Sequence, residues 1–443
     1  MNYILLSGGS GRRLWPLSND VRSKQFIKIF KAPDGNRESM LMRMYRGIKE
    51  EDKNAFITVA TGESQISAIQ NQLGDEVTIS KEPCRRDTFP AIALAAEFLL
   101  CECKRSKEEA VIICPVDPYV DSEYFKRLKD LEKEIAGGDA NLVLMGAVPT
   151  YPSEKYGYIL PEKESLGKEV IKVSRFKEKP TADEAKELIE EGALWNTGVF
   201  GMKLGYISGK AHELIDYKDY KDLFEKYKDL NKISFDYAVS EKETDIKAIE
   251  FEGNWKDLGT WNTFTEAMSE RSVGKAILSD SCENVHVINE LDVPVFTMGL
   301  KNAVVSASPE GIIVTDKEQS SFIKPYVDEI RQEIRFAEKS WGSYHVLNVE
   351  NESLTIKVTL RPGHKMNYHS HERRDEVWNI ISGEGLAVLD GKKIEVKPGD
   401  VLRMPAGCRH TIRAYKELKI IEVQLGKDIS ATDKQVYPPL EDN

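Results

Sequence analysis

The sequence predicts an α/β domain of Rossmann-like type with a mostly parallel sheet, then a short β connector, then a small all-β barrel at the C-terminus. Three observations carry this reading. Over roughly the first two-thirds, short apolar runs alternate with amphipathic helical patterns. Strands alternating with helices imply a mostly parallel sheet covered on both faces. After that, helical patterns fade and Asn, Asp, Gly and Pro break the chain into short β-rich pieces. From about Glu333 onward almost every segment is a short strand between Gly/Pro turns, as in an antiparallel barrel or jelly roll.

The predicted elements follow in order. Tyr3–Leu6, Ala55–Val59, Ala110–Cys114, Leu142–Ala147 and Val170–Phe176 read as strands, and Ala91–Cys101, Ser122–Ala136 and Ala182–Glu191 as amphipathic helices. Gly274–Lys324 holds short pieces such as Val285–Ile288 and Gly311–Val314. Thr355–Leu360, Val377–Ile381, Leu386–Leu389, Lys393–Val396 and Lys419–Gln424 supply the barrel. The expected domains are 1–268, 269–332 and 333–443, within the two or three that 443 residues allow.

Composition bounds the function. Hydrophobic residues make up 41% and charged residues 30%, ordinary for a globular protein. With 62 Lys plus Arg against 73 Asp plus Glu, the net charge is −11. That argues against wrapping nucleic acid or lying on an anionic membrane, while leaving room for a local basic pocket that takes a small anion. No run approaches the roughly 18 apolar residues of a membrane span, and the start lacks a basic n-region, so a cytoplasmic protein is expected. Its six cysteines (Cys84, Cys101, Cys103, Cys114, Cys282 and Cys408) are scattered and read as free thiols.

Strand Tyr3–Leu6 runs into Ser7-Gly8-Gly9-Ser10-Gly11-Arg12-Arg13-Leu14. Glycines let backbone N–H groups approach an anion, and the arginines add charge-assisted donors for phosphate oxygens. No Gly-Lys-Ser/Thr follows, so this is not a Walker A loop, and Leu14 at the third glycine position excludes the dinucleotide fingerprint. Alone, such a turn is equally a tight connection.

The continuation changes the weighing. Leu14-Trp15-Pro16-Leu17-Ser18 is followed by Ser23-Lys24-Gln25-Phe26. Here the sequence resembles the sugar-1-phosphate nucleotidyltransferases, most closely the long bacterial mannose-1-phosphate guanylyltransferases. Ser23 stands where that family has proline. The resemblance implies that Ser7, Gly8, Gly9, Gly11 and Arg12 contact the nucleotide, and that Arg13 and Lys24 hold the triphosphate and the transition-state charge.

Further matches fall in family order. Glu82-Pro83-Cys84-Arg85-Arg86-Asp87-Thr88 precedes Pro90-Ala91-Ile92-Ala93. The resemblance puts Glu82, Arg86, Asp87 and Thr88 near the base, where a carboxylate such as Glu82 suits the N–H edge of guanine. Asp87 replaces the family's Asn and equally suits a helix cap. Cys114-Pro115-Val116-Asp117 and Trp255-Lys256-Asp257-Leu258-Gly259-Thr260-Trp261 match the segments whose aspartates hold Mg²⁺ in the family, although Pro118 replaces a histidine. Asp117 and Asp257 are therefore the implied magnesium ligands. Tyr156-Gly157-Tyr158-Ile159, Phe176-Lys177-Glu178-Lys179-Pro180 and Trp195-Asn196-Thr197-Gly198 resemble the sugar side. They nominate Gly157, Tyr158, Glu178, Lys179, Asn196 and Gly198 for the sugar phosphate. Ser234–Val239 resembles a segment read only as support for that side.

The implied activity is Mg²⁺-dependent transfer of GMP from GTP to mannose 1-phosphate, giving GDP-mannose and pyrophosphate. The expected partners are a nucleoside triphosphate and a sugar 1-phosphate, with no nucleic acid and no membrane. A homo-oligomer, a dimer, is expected. The same reaction with another base or sugar is the first alternative, and a non-catalytic nucleotide-sugar sensor the second.

Four of seven histidines fall between 364 and 410. His369-x-His371-x4-Glu376, followed by Gly399-x5-Pro405-x-Gly407-x2-His410, matches both halves of the cupin signature. His-x-His on a strand puts both imidazoles on one face, and Glu376 and His410 complete a site for zinc or another divalent transition metal. His364 lies outside the pattern and reads as a surface residue. In the long guanylyltransferases this module often isomerises mannose 6-phosphate. The family's Gln ligand is His369 here, Val377 replaces a histidine, and Thr411 replaces the family's arginine.

Overall fold

Nine strands build the main sheet: β1 (Asn2–Leu6), β2 (Phe56–Gly62), β3 (Thr78–Glu82), β4 (Ala110–Pro115), β5 (Leu142–Ala147), β6 (Gly157–Pro161), β7 (Val170–Glu178), β8 (Leu194–Lys203) and β9 (Ile246–Phe251). This computed structural model describes residues 1–9, 12–19, 21–330, 334–427 and 429–438. Within them the chain forms two compact units, one of residues 1–9, 23–66 and 76–269, the other of 12–22, 67–75 and 270–438.

The sheet order is β3-β2-β1-β4-β8-β5-β9-β7-β6. β5 is buried along its whole length and β1 and β4 along most of theirs, which is why they read as unbroken apolar runs rather than alternating ones. β3, β2, β1 and β4 are parallel, as is the β5–β9 pair. The sheet is more mixed than the sequence pattern suggests: β8 lies antiparallel between β4 and β5, and β7 is antiparallel to β6 and β9. Apolar runs fix where strands are, whereas connections fix direction. Residues 162–169 are too few for the crossover of a dozen or more residues that a parallel neighbour needs.

The helix Thr88–Cys101 is buried almost all round. Its one interior carboxylate, Glu97, is satisfied: Oε1 accepts from Ser208 Oγ at 2.6 Å and from the Tyr217 hydroxyl at 2.8 Å, and Oε2 from Cys101 Sγ at 3.8 Å. Asp87 caps this helix, its Oδ1 accepting from the Thr88 N–H at 2.8 Å, with its own backbone at φ 72°.

In the second unit, short strands 272–273, 286–289 and 303–308 stack in parallel, and 311–316 adds antiparallel to the last. Residues 12–19 and 21–22 pack with this connector. Ser308 Oγ donates to the Pro16 carbonyl at 2.8 Å, and Arg22 forks onto Glu290 through two bonds of 2.8 Å. Any Cβ at Gly311 would stand 2.5 Å from the Trp15 ring, so the connector strand needs glycine there.

The C-terminal barrel pairs a six-stranded sheet with a five-stranded one around Trp378, Leu360, Ile412 and Ile420. Among the described residues, no helix is long and apolar enough to cross a membrane.

Candidate active site and candidate metal centre

The loop after β1 faces a cavity of about 660 Å³ lined by Gly8, Gly9, Glu82, Arg86, Asp87 and Thr88, among others. A Cβ at Gly8 or Gly9 would meet nothing within 4 Å, and Gly9 has φ 110°, so the backbone itself forms this part of the wall. The Gly9 carbonyl is held by three side chains: Ser23 Oγ at 2.8 Å, Arg85 Nη2 at 3.2 Å and Gln65 Nε2 at 3.4 Å. Gln25 Nε2 donates to the Gly8 carbonyl at 3.4 Å. Ser23 also accepts from Gln65 Nε2 at 2.8 Å, so it makes two bonds that a proline could not. Gly11 lies outside the described residues. Arg12 is paired with Asp328 at 3.0 Å in the second unit, and Arg13 is exposed there.

Glu82 lines the same cavity, its Oε2 accepting from the Tyr227 hydroxyl at 2.9 Å. Burial raises its pKa above the ordinary carboxylate value, opposed by the Tyr227 bond and by Arg85. Arg86 Nε is buried and finds no acceptor among the described residues.

β4 ends just before Asp117. The next residues, Pro118–Val120, pair antiparallel with Trp255–Asp257, setting Pro118 opposite Asp257. This ribbon brings two aspartates from distant parts of the chain onto one cation. Lys24 Nζ lies 3.0 Å from Asp117 Oδ2 and 3.4 Å from Asp257 Oδ1. Burial disfavours the Lys24 charge, but Asp117 and Asp257 outweigh it and raise the pKa above the usual lysine value. Two carboxylates converging on one positive charge are hard oxygen donors of the kind Mg²⁺ takes, so the pair fits that ion.

Asp117 and Pro115 line the large cavity and also a second one of about 280 Å³. Gly157, Glu178, Asn196 and Gly198 line this second cavity, together with Asp236 and Asp257. Asn196 Nδ2 donates to Asp236 Oδ1 at 2.8 Å, and Asn196 Oδ1 accepts from the Gly198 N–H at 3.1 Å. Burial, then the nearby Glu178, pushes the Asp236 pKa up to about 7, against Lys179 and Asn196. Lys179 Nζ is tied to Glu178 Oε1 at 2.8 Å and is not among the lining residues. Tyr158 faces the core instead. It is fully buried, and its hydroxyl accepts from the Ser153 N–H at 2.9 Å and from Trp195 Nε1 at 3.1 Å. Strand alternation explains this, since neighbours of Gly157 point to the opposite face.

In the barrel, His369, His371, Glu376 and His410 are all buried, and their ligand atoms lie within 4.8 Å of one another. Each imidazole uses Nδ1 on a backbone carbonyl: His369 on Asn367 at 2.7 Å, His371 on Asp433 at 2.7 Å and His410 on Cys408 at 3.0 Å. A carbonyl only accepts, so a neutral ring carries its proton on Nδ1 and turns the Nε2 lone pair inward. His410 Nε2 is buried with no hydrogen-bond donor, 3.1 Å from Glu376 Oε2. Imidazole nitrogens turned inward beside a carboxylate suit a divalent transition metal. Arg374 supplies positive charge at the rim, with Nη2 at 3.1 Å from His371 Nε2 and Nε at 3.1 Å from Glu376 Oε1.

A family profile described as Nucleotidyl transferase matches residues 2–272, more than half of the chain. The chain belongs to the nucleotidyl transferase family. A profile described as Cupin domain matches residues 356–423, which hold all four ligands of the barrel centre. The nucleotidyl transferase is similar along nearly its whole length to named relatives. Mannose-1-phosphate guanylyltransferase RfbM of Salmonella typhimurium is 26% identical, over 97% of this chain and 95% of its own. Xanthan biosynthesis protein XanB of Xanthomonas campestris pv. campestris is 27% identical, over 97% and 96%. The crystal structure of a mannose-1-phosphate geranyltransferase from Thermus thermophilus superposes with a TM-score of 0.61 at 25% identity, covering 74% of this chain and 98% of that one.

Sequence reasoning about this nucleotidyl transferase did not single out Asp236 or Lys155, which line the smaller cavity, or Gln65, which lines the larger one. Asp236 opens a single π-helical turn, Asp236–Ser240, a local distortion that often marks functional positions. The only sequence signal was the segment around it, since its partner Asn196 comes from a different strand.

Proposed function

We propose that the chain transfers GMP from GTP to mannose 1-phosphate, yielding GDP-mannose and pyrophosphate. The observation that carries this is the convergence of Asp117 and Asp257 on Lys24, with Asp117 lining both a nucleotide-sized cavity and a smaller polar one. The names of the full-length relatives supply the base and the sugar. In this reading an oxygen of the sugar phosphate attacks the α-phosphorus in line. A new P–O bond forms, the bond to the β-phosphate oxygen breaks, and pyrophosphate leaves with the electron pair. The nucleophile is already ionised at neutral pH, so no general base is needed. The chain's tasks are positioning and charge neutralisation.

Asp117 and Asp257 would hold Mg²⁺, which when bound lowers the charge on the reacting phosphates. Lys24 sits between the same carboxylates and adds positive charge where the oxygens crowd. The loop of Ser7, Gly8, Gly9, Gly11 and Arg12, with Arg13, would cradle the triphosphate. Glu82 would accept from guanine, with Arg86, Asp87 and Thr88 around it. Gly157, Tyr158, Glu178, Lys179, Asn196 and Gly198 would form or support the sugar side. Transfer belongs to residues 1–268 in this scheme, with a connector over 269–332 and the cupin over 333–443. A cytoplasmic homodimer goes with it, as does zinc or another divalent transition metal in the cupin.

The deciding experiment is pyrophosphate release with Mg²⁺ across four nucleoside triphosphates and a panel of sugar 1-phosphates. Release peaking with GTP and mannose 1-phosphate is expected. A different preferred pair would keep the chemistry and move specificity to departures such as Asp87. No release with any pair would favour a nucleotide-sugar sensor.

A further inference from the structure

We propose that Tyr227 is the positioning residue behind base choice, holding Glu82 as a carboxylate that accepts from the N–H edge of guanine. The two residues are 145 positions apart. Glu82 closes β3, whereas Tyr227 opens the turn Tyr227–Asp229 after the helix Tyr220–Lys226. The Tyr227 ring is fully buried in the main core, which fixes where its hydroxyl can point. That hydroxyl donates to Glu82 Oε2 at 2.9 Å. Among the described residues it is the one hydrogen bond that the Glu82 side chain makes, although Glu82 lines the large cavity. One oxygen is thus anchored from the core, and Oε1 is left for a ligand.

The bond also decides what Glu82 can recognise. Guanine presents N1–H and its 2-amino group side by side, two donors that one carboxylate accepts together. Adenine presents an N1 lone pair beside its 6-amino group. That edge suits a protonated carboxyl, whose O–H donates to N1 while its carbonyl accepts from the amine. Base choice here turns on whether Glu82 carries a proton. Burial favours the protonated form, and the Tyr227 bond, then Arg85, oppose it. Arg85 is exposed and donates to the Gly9 carbonyl at 3.2 Å, so the opposition from the core is Tyr227. Burial and then Glu82 raise the Tyr227 pKa, so the phenol keeps its proton and stays the donor. Glu63, Cys84, Arg86, Asp87, Asp117 and Lys232 line the same cavity, and none of them hydrogen-bonds Glu82. The inference rests on the guanylyl reading above and names the residue that enforces its base.

The test measures kcat/KM of the full chain for GTP, ITP and ATP, with Mg²⁺ and mannose 1-phosphate. ITP keeps N1–H and lacks the 2-amino group. The variants are Tyr227→Phe, Glu82→Gln and the two combined. Phenylalanine keeps the packing of the ring, so the fold is expected to hold, as circular dichroism checks. In Tyr227→Phe the preference for GTP over ATP should fall by about tenfold or more, chiefly through KM for GTP. The preference for GTP over ITP should fall with it, and KM for mannose 1-phosphate should stay at the parent's value. General damage to the fold would lower all three nucleotides together and leave those ratios alone. Glu82→Gln, whose amide offers one donor and one acceptor as the protonated acid does, should shift the same ratios. Adding Tyr227→Phe to it should change them by less than about twofold, because the hydroxyl acts through the carboxylate. Parental ratios in Tyr227→Phe or in Glu82→Gln would overturn the proposal, as would a combined variant in which the two effects multiply. A parent without a preference for GTP would remove the assigned base and this inference together. A parent that prefers GTP, with Tyr227→Phe unshifted, would remove this inference alone.

Discussion

The ammonium of Lys24 lies 3.0 Å from the carboxylate of Asp117, and the same nitrogen reaches Asp257 at 3.4 Å. Both aspartates are about two-fifths exposed while Lys24 is mostly buried, so the carboxylates face the cavities and the lysine backs them. Removing one carboxylate therefore strands no buried charge outright, because the other still compensates Lys24. Asp117→Asn and Asp257→Asn are expected to fold like the parent. Each should lose pyrophosphate release by about 100-fold or more, the scale seen when one preorganised charge is removed from a transition state. Circular dichroism and the thermal midpoint check folding, and a Mg²⁺ titration checks metal dependence. Full activity in either variant would remove the magnesium assignment.

Asp236 lines the smaller cavity with a displaced pKa. Its pKa is pushed up to about 7, mainly by burial and then by Glu178, with Lys179 and Asn196 pulling the other way. Below that pH the carboxyl is protonated and offers a donor; above it a second negative charge stands beside Glu178, facing an anionic substrate. KM for the sugar 1-phosphate should accordingly rise as pH passes from about 6 to 8, while KM for the triphosphate changes little. Asp236→Asn, which keeps a donor and cannot ionise, should flatten that rise. The substrate's own phosphate ionisation is common to both proteins and cancels in the comparison. An identical slope in the variant would show that Asp236 does not govern binding.

Gly157 tests how closely Glu178 must approach. A Cβ at this position would sit 2.5 Å from Glu178 Oε2 and 2.7 Å from Phe176 Cζ. Phe176 is buried in the main core. Gly157→Ala should displace Glu178, raise KM for the sugar phosphate roughly tenfold and cost about 1–3 kcal/mol of stability through overpacking. Unfolding in urea gives the second quantity and steady-state kinetics the first. An unchanged KM with the expected loss of stability would make Glu178 a structural residue.

Much of this was readable because the chemistry constrains residue types at fixed spacing. His369, His371, Glu376 and His410 are separated in sequence yet meet as buried neighbours, and the spacing alone had nominated them. The buried strands were legible as apolar runs, since β5 has no exposed face to make polar. Other features depend on tertiary neighbours. Tyr158 has the polar handle of a sugar ligand, but the pleat turns it toward Ser153 and Trp195. Ser23 looked like a lost proline, whereas it bridges the Gly9 carbonyl and Gln65. Nothing local announces that Arg22 and Pro16 meet Glu290 and Ser308, which lie far along the chain. The direction of β8 depends on what it inserts between, not on its own residues.

The cupin centre makes its own prediction about stability. The His369, His371 and His410 rings are fixed by carbonyls on Nδ1, which leaves their Nε2 atoms for the cluster with Glu376. Arg374 compensates part of this cluster, and a divalent ion bound to the converging ligands ties them together in the folded state. Binding to the folded state alone stabilises by about 2.7 kcal/mol at a hundred times Kd. Zn²⁺ or another divalent transition metal added to stripped protein is thus expected to raise the thermal midpoint by several degrees, with about one ion retained per chain after gel filtration. Mg²⁺, which prefers oxygen donors and keeps its waters, should not substitute. His371→Asn and His410→Asn should lose the retained ion and close the gap between stripped and loaded midpoints. If both variants keep the ion, the four residues are not its ligands, and Arg374, already 3.1 Å from His371 and from Glu376, would then be the cation that balances the cluster.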